Sequence, residues 1–460
     1  MKRAVDAQGL SVTGTADSVT SLDRVIHDFY AWTGDILGDL DRAVSADPDF
    51  SLGHTAKAII LMLGGLRGDH TAVTDAVATA SRCIGGSTPR EAGHLAIAQS
   101  LAAGEMRGAA RRCEAILIDH PVDALALRYA TDLHYYLGDS AGIRDTVARV
   151  LPQWREDDPL FGFVLGRYAF GLEETGALGE AERWGRRALA INRQDVWATH
   201  AIAHVFETNG RSEEGRQFLE TTRAHWSVGK WLAVHNGWHL ALFLIELGRG
   251  EEVLSGYDTF VAPRLKDNFI LDLIDASSLL WRLSLAGIEV GDRWAEVARV
   301  AAQRIGEHVL AFNDLHMALA LIGAGDEPAT RQLHDSIDRY LASGHGDNRS
   351  TTAAVGKTLV DAMAAYGQGE WRRTIALLLP IRDQVIRIGG SHAQRDVVDQ
   401  TLVAAALRAE DWPLARSLLT ERIARTPTGP DWSLYRRALA GLGDTGAWAH
   451  ARRLFVDERP

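Results

Sequence analysis

The chain reads as an all-α superhelix of stacked helix pairs, a tetratricopeptide-like α-solenoid of about ten to eleven pairs. Three observations predict it. Breakers recur at a steady interval, the segments between them carry the three- and four-residue apolar period of helices, and strand-like alternation is essentially missing.

The breakers set the period. Turn signals fall at Gly68, Gly104, Gly138-Asp139, Gly176, Asn209-Gly210, Gly248-Arg249, Gly287, Gly325-Asp326, Gly367-Gln368, Glu410-Asp411 and Gly443-Asp444. Most successive gaps are about 33–39 residues and two are about 42–43; a helix–turn–helix repeat has a nominal period of ~34. The ends of second helices, at Asp47-Pro48, His120-Pro121 and Asn192-Arg193, lie about 72–73 residues apart, close to two repeats. The segment Ala181 to Ile191 shows the helical face, with Ala, Trp, Leu and Ile at three- and four-residue steps. Small residues follow the turns by about five positions, at Gly142, Ala181 and Gly215, where a second helix must approach closely. Residues 1–20 read as a polar N-terminal segment and 21–460 as one continuous superhelix. Ser343 to Thr352 (SGHGDNRSTT) is the least helical stretch and reads as a long inter-repeat loop.

Bulk properties narrow the function. A globular chain of 460 residues is expected to divide into several domains, whereas a repeat array escapes the limit because each unit packs on its neighbours. The net charge of −11 and the absence of a basic run argue against a nucleic-acid partner. Cys83 and Cys113 are the two cysteines and form no CxxC pair, so a zinc ribbon is excluded and reduced thiols are expected. No uncharged stretch reaches the ~18–20 residues of a membrane span; Leu232 to Leu247 comes nearest but contains His235, His239 and Glu246. The polar start carries no secretory signal, which makes the cytoplasm the expected compartment.

Several strings carry a family resemblance. Trp197 to Gly215 (WATHAIAHVFETNGRSEEG), Leu232 to Gly248 (LAVHNGWHLALFLIELG), Asn313 to Leu321 (NDLHMALAL) and Gly389 to Val397 (GGSHAQRDV) resemble the tetratricopeptide repeat protein 38 family. Ala169 to Glu174 and Phe29 to Phe50 extend the likeness over nearly the whole chain. The resemblance implies an α-helical repeat protein and no particular activity. Gly237, within HNGWH, departs from the larger residue usual in the family.

In such repeats the first helix of each pair faces the concave groove. Counting back from Gly210 places His200, His204 and Glu207 there, on one helical face at i, i+4 and i+7. The same counting brings Glu91, His94, Glu173, His235 and Trp238 to the groove, with His239 one step round. Asn313, Asp314 and His316 form a further polar group on a first helix. Ser391 is a natural N-cap preceding His392, Arg395 and Asp396, where an anion can meet exposed N–H groups and a guanidinium.

Two histidines at i, i+4 with a carboxylate and a second histidine pair have the spacing to hold Zn²⁺ or Fe²⁺, which makes His200, His204, Glu207, His235 and His239 a metal-ligand set. The same residues suit acid–base chemistry. HExxH, GxGxxG and GxxxxGK[ST] are absent, so neither the zinc-protease helix nor a nucleotide cofactor is expected. Two functions follow. The first is binding of a peptide or small molecule in a His-, Glu- and Trp-lined groove. The second is a metal-assisted or acid–base enzyme, of hydrolytic type, with its active site built from the histidines.

Overall fold

The protein is described by a computed structural model covering residues 3–444 and 446–457. Helix follows helix, and successive elements pair antiparallel: Phe161–Glu174 with Leu178–Ile191, Val196–Thr208 with Ser212–Thr221, Trp231–Glu246 with Gly250–Gly256, and so on to Gly429–Gly441. The architecture is an all-α helical-repeat solenoid.

First and second helices have different sequences because they have different surroundings. Val196–Thr208 and Ala311–Gly323 are buried over almost their whole circumference, between their own partner and the neighbouring pairs. Leu178–Ile191 buries Ala181, Gly185 and Ala188 and exposes its charged face. That narrow stripe of small residues lets helices approach: a Cβ on Gly185 would lie 2.8 Å from Ile202. Gly237 has the same cause, since a side chain there would overlap the ring of Phe260.

Each turn solves the same local problem. Gly138 takes a left-handed φ of 67°, and Asp139 then caps the next helix by accepting from the Gly142 N–H. Asp195, Asp326 and Asp411 cap further helices in the same way. Glu410 is a non-glycine residue at such a turn, with φ 55°.

Within the polar N-terminal segment, Arg3–Val5 pairs antiparallel with Ser11–Thr13, and the first helix begins at Ala16. Three-residue strands are too short to produce a visible alternation. One expectation needs revision: the segment 343–352 is not a long loop. Gly346–Thr351 is helical and runs through a wider turn at Thr352–Gly356 into Lys357–Gly367. Its glycine and polar content serves contact. A Cβ on Gly346 would lie 2.6 Å from the Gly104 carbonyl oxygen, and Asn348 bonds the Ala311 N–H and the His308 carbonyl.

The array curls until late repeats meet early ones. The Asp347 N–H donates to the Gly104 carbonyl at 2.9 Å, Arg67 reaches the Gly306 carbonyl at 3.1 Å, and the Lys230 N–H donates to the Trp32 carbonyl at 2.9 Å. Near the other end Thr426 donates to the Thr208 carbonyl at 2.9 Å. First helices and the turns beside them thus line a partly open cavity of about 980 Å³.

Candidate metal centre and its cavity

Four histidines meet where the Val196–Thr208 and Trp231–Glu246 helices pack. His200 and His204 are one turn apart on the first, His235 and His239 one turn apart on the second, so each helix presents two imidazoles on one face. One ring nitrogen from each lies within 4.8 Å of those of the other three. The imidazole Nε2 atoms of His200 and His204 are 3.0 Å apart.

Carboxylates face the outer nitrogens of three of the four, while His200 Nδ1 is buried without a partner. His235 Nδ1 lies 2.8 Å from Asp275, and His239 Nδ1 lies 2.9 Å from Glu207. His204 Nδ1 stands 3.3 Å from Glu173, a charge contact rather than a well-aligned hydrogen bond. With Nδ1 engaged, His239 is left with Nε2 facing the cluster, buried and without a hydrogen-bond partner. Such partners fix the tautomer and aim the remaining lone pair.

Burial disfavours the charged form of three of these rings. Burial pushes His200 and His239 well below the ordinary histidine range, and mutual repulsion among the imidazoles adds to it. Burial also lowers His204, although Glu173 pulls the other way. A neutral imidazole is the form that ligates a metal. Burial raises Glu207 and Asp275; for Asp275 the partner His235 opposes the rise.

No family model matches the chain. A solved structure of the human IFIT1 dimer with PPP-AAAA is similar over 94% of this chain and 100% of that protein, at 13% sequence identity and a TM-score of 0.40. At that distance the likeness carries nothing about ligands.

The other residues singled out in the sequence fall into distinct places. His200 and His235 reach the cavity wall, and so does Asn313. His204 and His239 lie behind them, fully buried. Glu207 stands outside the four-histidine group as the partner of His239. Trp238 is core, stacked on His235 with centroids 5.0 Å apart. His316 points Nδ1 at the Phe312 carbonyl, and Asp314 pairs with His308. Glu91 and His94 are elsewhere. Glu91 accepts from Thr13 and so ties down the N-terminal hairpin, while His94 bonds Asp123. Arg395 donates to the Gly390 carbonyl and Asp396 pairs with Arg422 at 2.5 Å. Asp275 was missed: it sits in an apolar helix, ILDLIDASSLLW, with nothing in its spacing to mark it.

Glu173 joins this centre to a distant part of the chain. Its Oε1 lies 2.7 Å from His392 Nε2 and accepts from Thr208 at 2.7 Å. Burial opposes the charge on both partners. The Glu173 and Glu174 carboxylates nevertheless raise His392 to about 10, and the His392 and His204 imidazoles hold Glu173 below the ordinary carboxylate range. His392 therefore contributes stability fully below its ordinary value of 6.5 and loses it as pH climbs toward 10, while the Glu173 contribution is present above 4.5 and is lost in acid. His392→Gln is expected to cost most stability between pH 4.5 and 6.5 and clearly less at about pH 9.5. Urea titrations at these pH values check it; a cost that grows with pH would contradict the pairing.

Proposed function

We propose that the protein holds a divalent transition-metal ion, zinc or iron, on His200, His204, His235 and His239, and presents it to a small molecule bound in the adjoining cavity. The observation that carries this reading is the convergence of one ring nitrogen from each of the four histidines, with His239 Nε2 lacking a partner, His200 and His204 meeting only each other through Nε2, and the Nδ1 atoms of His235 and His239 held by Asp275 and Glu207. Buried polar groups are almost always satisfied, and four convergent lone pairs are satisfied together by one cation. Imidazole suits zinc and iron alike, and Asp275, Glu207 and Glu173 supply nearby negative charge for the ion. A bound ion adds Lewis-acid character at the wall to which His200 and His235 belong.

The partly closed shape favours a small molecule over an extended peptide, because the 343–352 segment and Gly104, both at the cavity wall, pack against each other. About 980 Å³ lies at the upper end of ordinary ligand sites. Binding is the primary reading, and a metal-assisted reaction on the bound molecule is the second, favoured by the acid–base groups beside the histidines. We infer also that the chain is of the tetratricopeptide repeat protein 38 kind, on the strings that contain these histidines.

Metal analysis by mass spectrometry tests the reading. The purified protein is expected to carry close to one equivalent of zinc or iron, and His204→Ala and His239→Ala to carry less than about a tenth of that, since removing a first ligand costs at least as much as the 10–100-fold lost with an outer partner. Folded wild-type protein that neither contains nor takes up either metal would refute it.

A further inference from the structure

A second part of the cavity wall carries charge without an acceptor. Arg128 and Arg167 stand on adjacent first helices, Ala124–Tyr136 and Phe161–Glu174, and their side chains are 1% and 2% exposed. Asp132 serves both: Arg128 Nε lies 2.9 Å from one of its oxygens and Arg167 Nη1 lies 3.0 Å from the other. Arg167 Nη1 also donates to Thr131 at 2.8 Å. Arg128 Nη1 and Arg167 Nε and Nη2 are buried with no hydrogen-bond partner. Among the described residues no carboxylate other than Asp132 is within ion-pair distance of either guanidinium.

Two buried cations thus share one anion. Aromatic faces attract these guanidiniums, with Arg128 4.1 Å from the Phe29 ring and 4.9 Å from Trp32, but rings accept no N–H well. Leaving charged donors buried and unpaired is costly. Of the other charged groups at the wall, Arg67 is bound to Asp69 and Glu307 to Arg304, while Lys230 and Arg339 are exposed to solvent, so the buried unmatched charge is that of Arg128.

The path from this point to the histidines is flat and apolar. Trp32 stacks on Trp197 at 6.0 Å with the planes 2° apart, Arg167 lies 4.7 Å over Trp197, and Trp197 is 5.2 Å from His200. Arg128, Asp132, Trp32, Trp197 and His200 all line the cavity.

We propose that Arg128, supported by Arg167, is the anion-recognition subsite of the cavity, and that the ligand is a small organic acid with an apolar ring system. Its carboxylate, or a similar oxyanion, accepts from Arg128, and its rings lie along Trp32 and Trp197 toward the histidines. A guanidinium fork matches a carboxylate in plane and charge. The proposal rests on the small-molecule reading above but not on the metal.

The test compares 1-naphthylacetate with its neutral isostere 1-naphthylacetamide by isothermal titration calorimetry on the full-length protein, with metal content measured on the same samples. Wild type is expected to bind the acid at least about tenfold more tightly than the amide, in keeping with a charge-assisted hydrogen bond. Arg128→Met is expected to abolish that preference, weakening the acid at least about tenfold more than the amide, whose carbonyl makes only a neutral hydrogen bond with the guanidinium. Arg128→Lys, which keeps the charge but not the fork, is expected to retain part of it and carries the test if the methionine variant fails to fold. Equal binding of acid and amide by wild type, no binding of the acid, or equal weakening of both ligands by the folded substitution overturns the proposal. A protein that prefers the acid but holds no metal would sink the metal centre alone.

Discussion

Chelating the ion from metal-loaded protein is expected to lower the melting temperature by about 4 °C, and His239→Ala is expected to melt below the chelated wild type, because it also removes a buried ring and its bond to Glu207. An ion present at a thousand times its dissociation constant stabilises the folded state by about 4 kcal/mol. Unfolding entropy of about 2 cal/mol/K per residue makes each kelvin worth roughly 1 kcal/mol in a chain of this length. His239 is the sharpest choice because its inward nitrogen has no protein partner to lose, whereas its outward nitrogen contacts Glu207. The double comparison separates the two: His239→Ala should show no further response to chelator. A variant that remains chelator-sensitive by the full amount would place the ion elsewhere.

The acid branch has a definite sign. His200, His204 and His239 have depressed values in the folded state, so below their ordinary 6.5 the unfolded chain binds more protons, and the stability they contribute falls as pH drops. Metal loss runs in the same direction, because protons compete for the same lone pairs.

Replacing Gly138 by alanine is expected to destabilise the protein by about 3 kcal/mol, clearly more than the same change at Gly176. Both residues have left-handed φ, 67° and 83°, where an alanine costs roughly 1–2 kcal/mol. At Gly176 that is the whole cost, since a Cβ there meets nothing within 4 Å. At Gly138 the Cβ would overlap the Ile386 carbonyl, a backbone atom that cannot rotate away. The contact belongs to the closure of the ring: beside it, a Cβ on Gly389 would lie 2.5 Å from the Tyr136 carbonyl, and Tyr135 bonds Gln394. Gly138→Ala should therefore also make the 379–391 stretch easier to cut in limited proteolysis. Equal losses at the two positions by urea denaturation would mean that the early and late repeats are not held together there.

The repeat architecture was legible because it is written locally. Left-handed glycines, aspartate caps and small residues at close approaches recur along the chain, and each can be read from a few neighbouring positions. The histidine pairs were legible for the same reason, since the one-turn spacings of His200 with His204 and of His235 with His239 are local facts. What completes the centre is not local. Asp275 is 40 residues from His235, and Glu173 is 219 residues from His392, so no periodicity links them. Register counting assigned Glu91 and His94 to the groove because it assumes that every first helix faces the same open space. In the first repeats a hairpin and Asp123 occupy that side instead. The run SGHGDN shows a different limit: its composition is that of a flexible link, yet Gly346 is small because another backbone presses on it.

An ordinary solenoid can fray from either end, since each unit leans only on the next. Here bonds between residues separated by 218, 240 and 259 positions fasten distant turns of the coil to one another. Such fastenings make melting a single concerted event, and they slow assembly, because chain segments far apart in sequence must find each other before either gains from the meeting.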